Sequence, residues 1–257
     1  MTAPEPAVYL SQPRLPAAAL PTAPLIEARS LLRRLGKGSD SFVFHLDSIR
    51  IDPGTCVAVT GPSGCGKSTL LGLLALALRP EPGPGAAMTV GADDALALWR
   101  RDDQAALTGL RATRMGFVPQ TSALLPFLTL RRNIALPQAI CGRVDPAFVD
   151  EVAGWLDIAH VLDRRPAQVS VGQRQRAAIA RALAHRPDLI LADEPTASVH
   201  PGQADRIMAL LRDLVAQTGT ALVATTHDPS RAEAAGFAIA PCEPDGVAAT
   251  RFCFPAP

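Results

Sequence analysis

Residues Gly61-Pro62-Ser63-Gly64-Cys65-Gly66-Lys67-Ser68-Thr69 satisfy the spacing G-x-x-x-x-G-K-[ST], a loop suited to holding phosphate. A backbone that wraps a polyphosphate needs positive φ angles and no Cβ facing the ligand, which the loop's glycines supply. Successive N–H groups then converge on the β-phosphate, and the following helix offers the positive end of its dipole. Lys67 is placed to bridge the β- and γ-phosphates as a mobile point charge, and the Ser68 hydroxyl to ligate Mg²⁺. The context agrees. Thr55–Thr60 is a short β-favouring run, and Leu70–Leu78 is apolar enough for a buried helix, so strand, loop and helix follow in the required order. Only Lys37 and Lys67 are lysines among 25 basic side chains, so a lysine here runs against the chain's habit.

A chain of 257 residues suits one large α/β domain, with room for a subdomain. Its net charge of +1 provides no basic field, and nucleic acid is not expected as a partner. Arginine pairs such as Arg33–Arg34 and Arg131–Arg132 are spread among acids and read as a solvated face. The five cysteines, Cys56, Cys65, Cys141, Cys242 and Cys253, are odd in number, widely spaced and free of any C-x-x-C pair. That pattern excludes a disulfide framework and a zinc site, and fits a reducing compartment. Cys65 lies inside the phosphate loop, so its alkylation is expected to block nucleotide. The longest apolar run, Leu70–Leu78, is far short of the roughly 20 residues that cross a bilayer, and no secretory leader is evident. Membrane attachment would need a partner.

Residues 1–24 carry six prolines and several alanines, and read as a flexible tail preceding the domain at 25–257. Phe42, Phe44 and Leu46, then Ile49 and Ile51, alternate as two β segments leading to the phosphate-loop strand. Pro80–Gly85 reads as a turn closing the first helix, followed by a helix-prone stretch to about Thr113. Met115–Pro119 is a short strand. Residues 121–186 are helical by pattern, as a lobe inserted in the sheet. Leu189–Asp193 and Ala221–Thr225 have the compact apolar character of central parallel strands. Strands alternating with helices give an α/β fold.

Four further stretches carry chemistry. Val169–Arg176 opens a helix over Gln173–His185, with Ser170 as its N-cap and free N–H groups that form a second anion site. Leu189–Pro195 is an apolar strand ending in two acids, Asp193 and Glu194. Gln120 follows Phe117-Val118-Pro119, and His227 stands in Thr225-Thr226-His227-Asp228, thirty-three residues after Glu194. Alone, each has an ordinary structural reading: a polar strand end, an N-cap, a core histidine. In this order, and beside the phosphate loop, they resemble the ATP-binding-cassette (ABC) ATPases over roughly residues 26–241.

The resemblance implies a P-loop NTPase (RecA-like) fold with a mixed, largely parallel sheet, an inserted helical subdomain and an N-terminal antiparallel β portion. It implies ATP and Mg²⁺ as cofactors, bound through residues 61–69 and Gln120. Ser68, Gln120 and Asp193 would surround the metal, Asp193 through water. Glu194 would polarise the attacking water, and His227 would contact the γ-phosphate and orient that water. Ser170, Gly172 and Gln173 would grip the γ-phosphate of a second protomer in a head-to-tail dimer, homo- or heteromeric, holding two ATP. Separate transmembrane permease subunits would then attach the cassette, on the cytoplasmic side, to the inner face of the cell membrane. Residues 118–137 are similar to the lipoprotein-releasing and macrolide-efflux group, which points to export or mechanical work. An importer ATPase and a catalytically impaired partner of an active relative stay open, while a soluble DNA- or ribosome-associated ABC protein is disfavoured by the single module and lack of heptads.

Three positions depart from the family pattern. Val171 replaces the signature's first glycine, while Gly172 is kept. Ala197-Ser198-Val199-His200 stands where Ser-Ala-Leu-Asp is usual, so His200 replaces an aspartate that bridges protomers. Leu35 occupies the place of the adenine-stacking aromatic, for which Phe42 and Phe44 are the candidate substitutes.

Overall fold

The computed structural model describes residues 23–36, 41–197, 199–246 and 249–254, so the tail expected over 1–24 lies, up to residue 22, outside the described residues. Among the described residues the strands are β1 (Ile26–Leu35), β2 (Phe42–Ile51), β3 (Cys56–Thr60), β4 (Glu81–Val90), β5 (Asp93–Asp94), β6 (Met115–Val118), β7 (Leu189–Ala192), β8 (Ala221–Thr226), β9 (Ala238–Pro244) and β10 (Ala249–Phe254). The helices are α1 (Lys67–Leu74), α2 (Ala95–Arg100), α3 (Gln104–Arg114), α4 (Leu130–Cys141), α5 (Pro146–Trp155), α6 (Val171–Leu183), α7 (Pro201–Thr218) and α8 (Pro229–Ala234). All ten strands share one sheet in the order β5-β4-β1-β2-β10-β9-β3-β8-β7-β6. Its β9-β3-β8-β7-β6 half is wholly parallel. The β2-β1-β4-β5 edge is antiparallel, as the sequence led us to expect of the N-terminal portion.

The alternation of side chains along a strand divides the core in two. Val57, Val59, Leu189, Leu191 and Val223 pack with Leu70, Leu71 and Leu74 of α1. Their neighbours Ala58, Ile190, Ala192, Leu222 and Ala224 face the other way, onto Ile179 of α6 and Met208 and Leu211 of α7. Strands β7 and β8 are buried at every residue, which is why they read as unbroken apolar runs. Between β6 and β7 the described chain forms α4, α5 and α6 with no strand.

Several elements differ from the sequence reading. Residues 42–51 are one ten-residue strand rather than two segments, with Asp47 and Ser48 inside it. Helix α1 ends at Leu74, not Leu78: Leu76 is left-handed at φ 53°, and the Ala77 and Leu78 amides both donate to Gly72 O. The bare Gly72 leaves room for the Leu78 side chain to fold back over the helix. Pro80–Gly85 does not merely turn: β4 begins at Glu81 and pairs Pro82 with Leu31, and its register then shifts so that Ala87 faces Arg29. On the side away from β1, β5 covers only the far end of β4, at Thr89 and Val90, so the proline-bearing end is an open sheet edge. Helix α6 starts two residues earlier than expected. Strands β9 and β10 were not read at all; Pro241 and Pro244 hide the former.

The edge strand β6 is fastened to the lobe by α6. His185 Nε2 donates to Met115 O at 3.0 Å, and burial holds its imidazole below the ordinary histidine value. A Cβ on Gly116 would drive into the backbone of Ala182. Both sides of that contact are main chain, so neither can swing away. Gly116→Ala is expected to cost about 2–3 kcal/mol of stability, measurable by urea denaturation; an unchanged midpoint would rule out this close approach.

Candidate functional site

The phosphate loop connects the C-terminal end of β3 to α1. Gly66 caps α1 at φ 95° with no side-chain cap bond, so the first-turn amides keep their donors for a ligand. Only glycine fits here. A Cβ at Gly66 would lie 2.5 Å from Phe44 Cδ2. Lys67 is 5% exposed, and its Nζ donates to Gly61 O and Pro62 O, each at 2.9 Å. An ammonium held by neutral carbonyls, and by no carboxylate among the described residues, keeps its full attraction for a polyphosphate. Cys65 turns its side chain into the apolar cluster beneath the loop. The expected block by alkylation would thus act through the loop's backbone rather than by direct occlusion.

Ser68, first turn of α1, donates to Asp193 Oδ2 at 3.0 Å. Asp193 Oδ1 accepts from Thr225 Oγ1 at 2.8 Å, and the same hydroxyl accepts from Glu194 N at 2.8 Å. Thr225, at the end of β8, therefore sets both acids at the end of β7. Glu194 is held at φ 44°, unusual for a non-glycine residue. Its Oε2 accepts from Gln120 Nε2 at 3.0 Å, and its Oε1 meets His227 Nε2. The strand order makes this inevitable: β3, β8, β7 and β6 are neighbours and parallel, so the residues after each one gather at one edge of the sheet.

Lys67, Ser68, Gln120, Asp193, Glu194 and His227 thus come together. Ser170, Gly172 and Gln173 do not join them by any hydrogen bond among the described residues. They form their own cluster at the start of α6, where Ser170 Oγ accepts from Gln173 N and Gln173 Oε1 accepts from Ser170 N. The site's oxygen donors, a serine hydroxyl, a carboxylate and an amide, suit Mg²⁺ chemically.

Sequence reading missed three residues. Thr225 was read only as a strand end, although a hydroxyl closing a core strand beside paired acids was its signal. Arg181 donates to Ser122 O and Ala123 O, anchoring the segment that follows Gln120. Gln175, buried, donates to Pro195 O and so ties α6 to the loop after Glu194. Of the departures, Val171 is 46% exposed on the first turn of α6, and His200 Nδ1 accepts from Gly202 N to cap α7. Ser198 lies outside the described residues. Leu35 is half-buried at the end of β1. Phe44 is 0% exposed beneath Gly66 and can offer no face to a base, which leaves Phe42 as the only substitute of the two. Thr225→Val would leave Glu194 N without its acceptor. The expected result is about 1–3 kcal/mol lost in denaturation and turnover roughly tenfold lower per folded protein.

This fold and this gathering of groups define a P-loop ATPase. The sequence profile described as "ABC transporter" matches residues 44–197. The chain belongs to the ABC transporter family of ATP-binding proteins. It is 38% identical over 209 residues to the lipoprotein-releasing system ATP-binding protein LolD of Novosphingobium aromaticivorans, covering 80% of this chain and 90% of that one. It is 37% identical over 216 residues to the macrolide export ATP-binding/permease protein MacB of Marinobacter nauticus, covering 82% of this chain and 32% of that one. A solved dimeric ATP-binding cassette in a post-hydrolysis state, bound to ADP and Pi, superposes with a TM-score of 0.71 at 29% identity, over 84% of this chain and 93% of that chain. No helix of the described residues is long and apolar enough to cross a membrane.

Proposed function

We propose that this ATPase works as a dimer around two MgATP and drives separate membrane-spanning subunits, in export or mechanical work. The observation that carries the reading is the unbroken hydrogen-bond chain from Ser68 through Asp193 and Thr225 to Glu194, Gln120 and His227. Residues 61–69 would cradle the phosphates, with Lys67 on the β- and γ-oxygens. Ser68, Asp193 and Gln120 would hold Mg²⁺, whose charge supplies neutralisation of the phosphate oxygens. Glu194 would accept the proton of the attacking water, held at the right angle by Gln120 and His227. Ser170, Gly172 and Gln173 would reach the γ-phosphate bound by the other protomer, through the helix-start donors that their capping box keeps in place.

Attachment to a membrane, on its cytoplasmic inner face, would pass through a permease. A groove lined by Phe117, Pro137 and Ile140, with Arg181 and His185, supports this, since it opens between β6 and the lobe. Phe127, in the loop before α4, is a further exposed apolar side chain at 68%. Export is favoured by the similarity to lipoprotein-releasing and macrolide-export proteins. A second reading, an impaired partner in a heterodimer, is motivated by His200 and Val171 and opposed by the intact Lys67, Asp193, Glu194 and His227. The deciding experiment reconstitutes the purified chain with its permease and follows phosphate release. Binding of MgATP without turnover in that assembly would end the active-enzyme reading.

A further inference from the structure

Two thiols meet behind the phosphate loop. Cys65 of the loop and Cys242 of β9 are 5% and 2% exposed and share one apolar cluster. Cys242 Sγ lies 3.2 Å from Cys65 O. A Cβ placed on Gly61 would be 2.8 Å from Cys65 Sγ and 3.3 Å from Cys242 Cβ, so both side chains close on one point under the start of the loop. Lys67 Nζ stands 3.9 Å from Cys65 Sγ. The proposed phosphate chemistry uses neither thiol, because it would draw on the loop's backbone and Lys67, and the thiols face inward.

We propose that Cys65 and Cys242 are a modification site, where a hydroperoxide-class oxidant couples the pair into a disulfide that ties the phosphate loop to β9 and closes it to nucleotide. Cys65 sulfur attacks the peroxide, the O–O bond breaks, and a sulfenic acid forms with release of one water or alcohol. Cys242 sulfur then displaces hydroxide from that sulfur, the S–S bond forms, and a second water leaves with the thiol proton. Two thiols lose two electrons and two protons, and the peroxide takes up both. Burial pushes the Cys242 thiol up to about 12, helped by the adjacent Cys65, so it is the contact of Cys242 with Cys65, not its acidity, that places it for the second step. The constraint reaches the loop directly, since Cys65 is flanked by Gly64 and Gly66 and precedes Lys67 by two residues. Cys141 and Cys253 provide the controls: Cys253 is exposed and contacts Ser48, and Cys141 donates to Gln138 O in the lobe.

The test treats the full chain with hydrogen peroxide, maps non-reduced peptides by mass, and titrates a fluorescent ATP analogue before and after dithiothreitol. The expected result is a peptide joining Cys65 to Cys242, loss of analogue binding, and recovery of binding on reduction. Cys242→Ser, with Cys242→Ala as the second variant should the serine fold poorly, is expected to bind the analogue and to keep that binding through peroxide treatment. A Cys141→Ser/Cys253→Ser double variant should remain as sensitive as the parent. Oxidation of Cys65 without the bridge, or equal sensitivity of both Cys242 variants, overturns the proposal. Failure of the untreated protein to bind the analogue would count against the phosphate-loop reading instead, so the two failures are distinguishable.

Discussion

Glu194→Gln is expected to bind MgATP as the parent does, to lower turnover by roughly 10²–10⁴-fold, and to accumulate as a nucleotide-bound dimer. The substitution preserves volume and one acceptor oxygen, so the geometry set by the main chain survives: Glu194 N still donates to Thr225 Oγ1, and φ stays near 44°. What disappears is a carboxylate able to take a proton. Gln120 and His227 both converge on that carboxylate, which marks it as the group that the surrounding residues orient. If cleavage is what lets two protomers part, its loss should hold them together, and the dimer should be visible by sedimentation in ATP but not in ADP. A variant that hydrolyses ATP at parental rate would remove Glu194 from its proposed role. Rapid turnover with no dimer would speak against the two-chain grip as well.

The placement of the candidate residues was legible because they sit at strand ends and helix starts, where the sequence states both the element and its boundary. Lys67, Ser68, Asp193 and Glu194 could be placed from the apolar runs that precede or follow them, and the parallel order of β3, β8, β7 and β6 then brought them to one edge. Thr225 carried a signal only in its hydroxyl at the end of a core strand; its two hydrogen bonds to the end of a neighbouring strand are not encoded by any local pattern. The same limit explains β4 and β9. Prolines in both argue against a strand by propensity, yet tertiary pairing overrides the local preference, and the Pro82 end of β4 lies at an edge that β5 leaves uncovered. The early end of α1 turns on Gly72 accepting the Leu78 side chain, a contact six residues apart that helical periodicity does not announce.

Phe44 and Gly66 offer a second large effect, in which the same contact governs folding and nucleotide. Gly66 needs its left-handed backbone to aim the α1 amides, and an alanine there costs about 1–2 kcal/mol in conformation alone. Its Cβ would also stand 2.5 Å from Phe44 Cδ2 and 3.0 Å from Cε2, within a fully buried ring that has no free direction to move. Overpacking of that kind adds about 1–3 kcal/mol, so Gly66→Ala is expected to lose about 3 kcal/mol and nearly all ATP binding. Phe44→Leu by itself should cost less than about 1.5 kcal/mol, and the double variant should be more stable than the sum of the two predicts by about 1–2 kcal/mol. ATP binding should not return with it, because the leucine removes the clash and leaves the backbone penalty in place. Denaturation of the four proteins measures the first expectation and analogue titration the second. Simple additivity would show that ring and loop are not in contact, and recovery of ATP binding in the double variant would show that the clash alone, rather than the glycine's backbone, shapes the cradle.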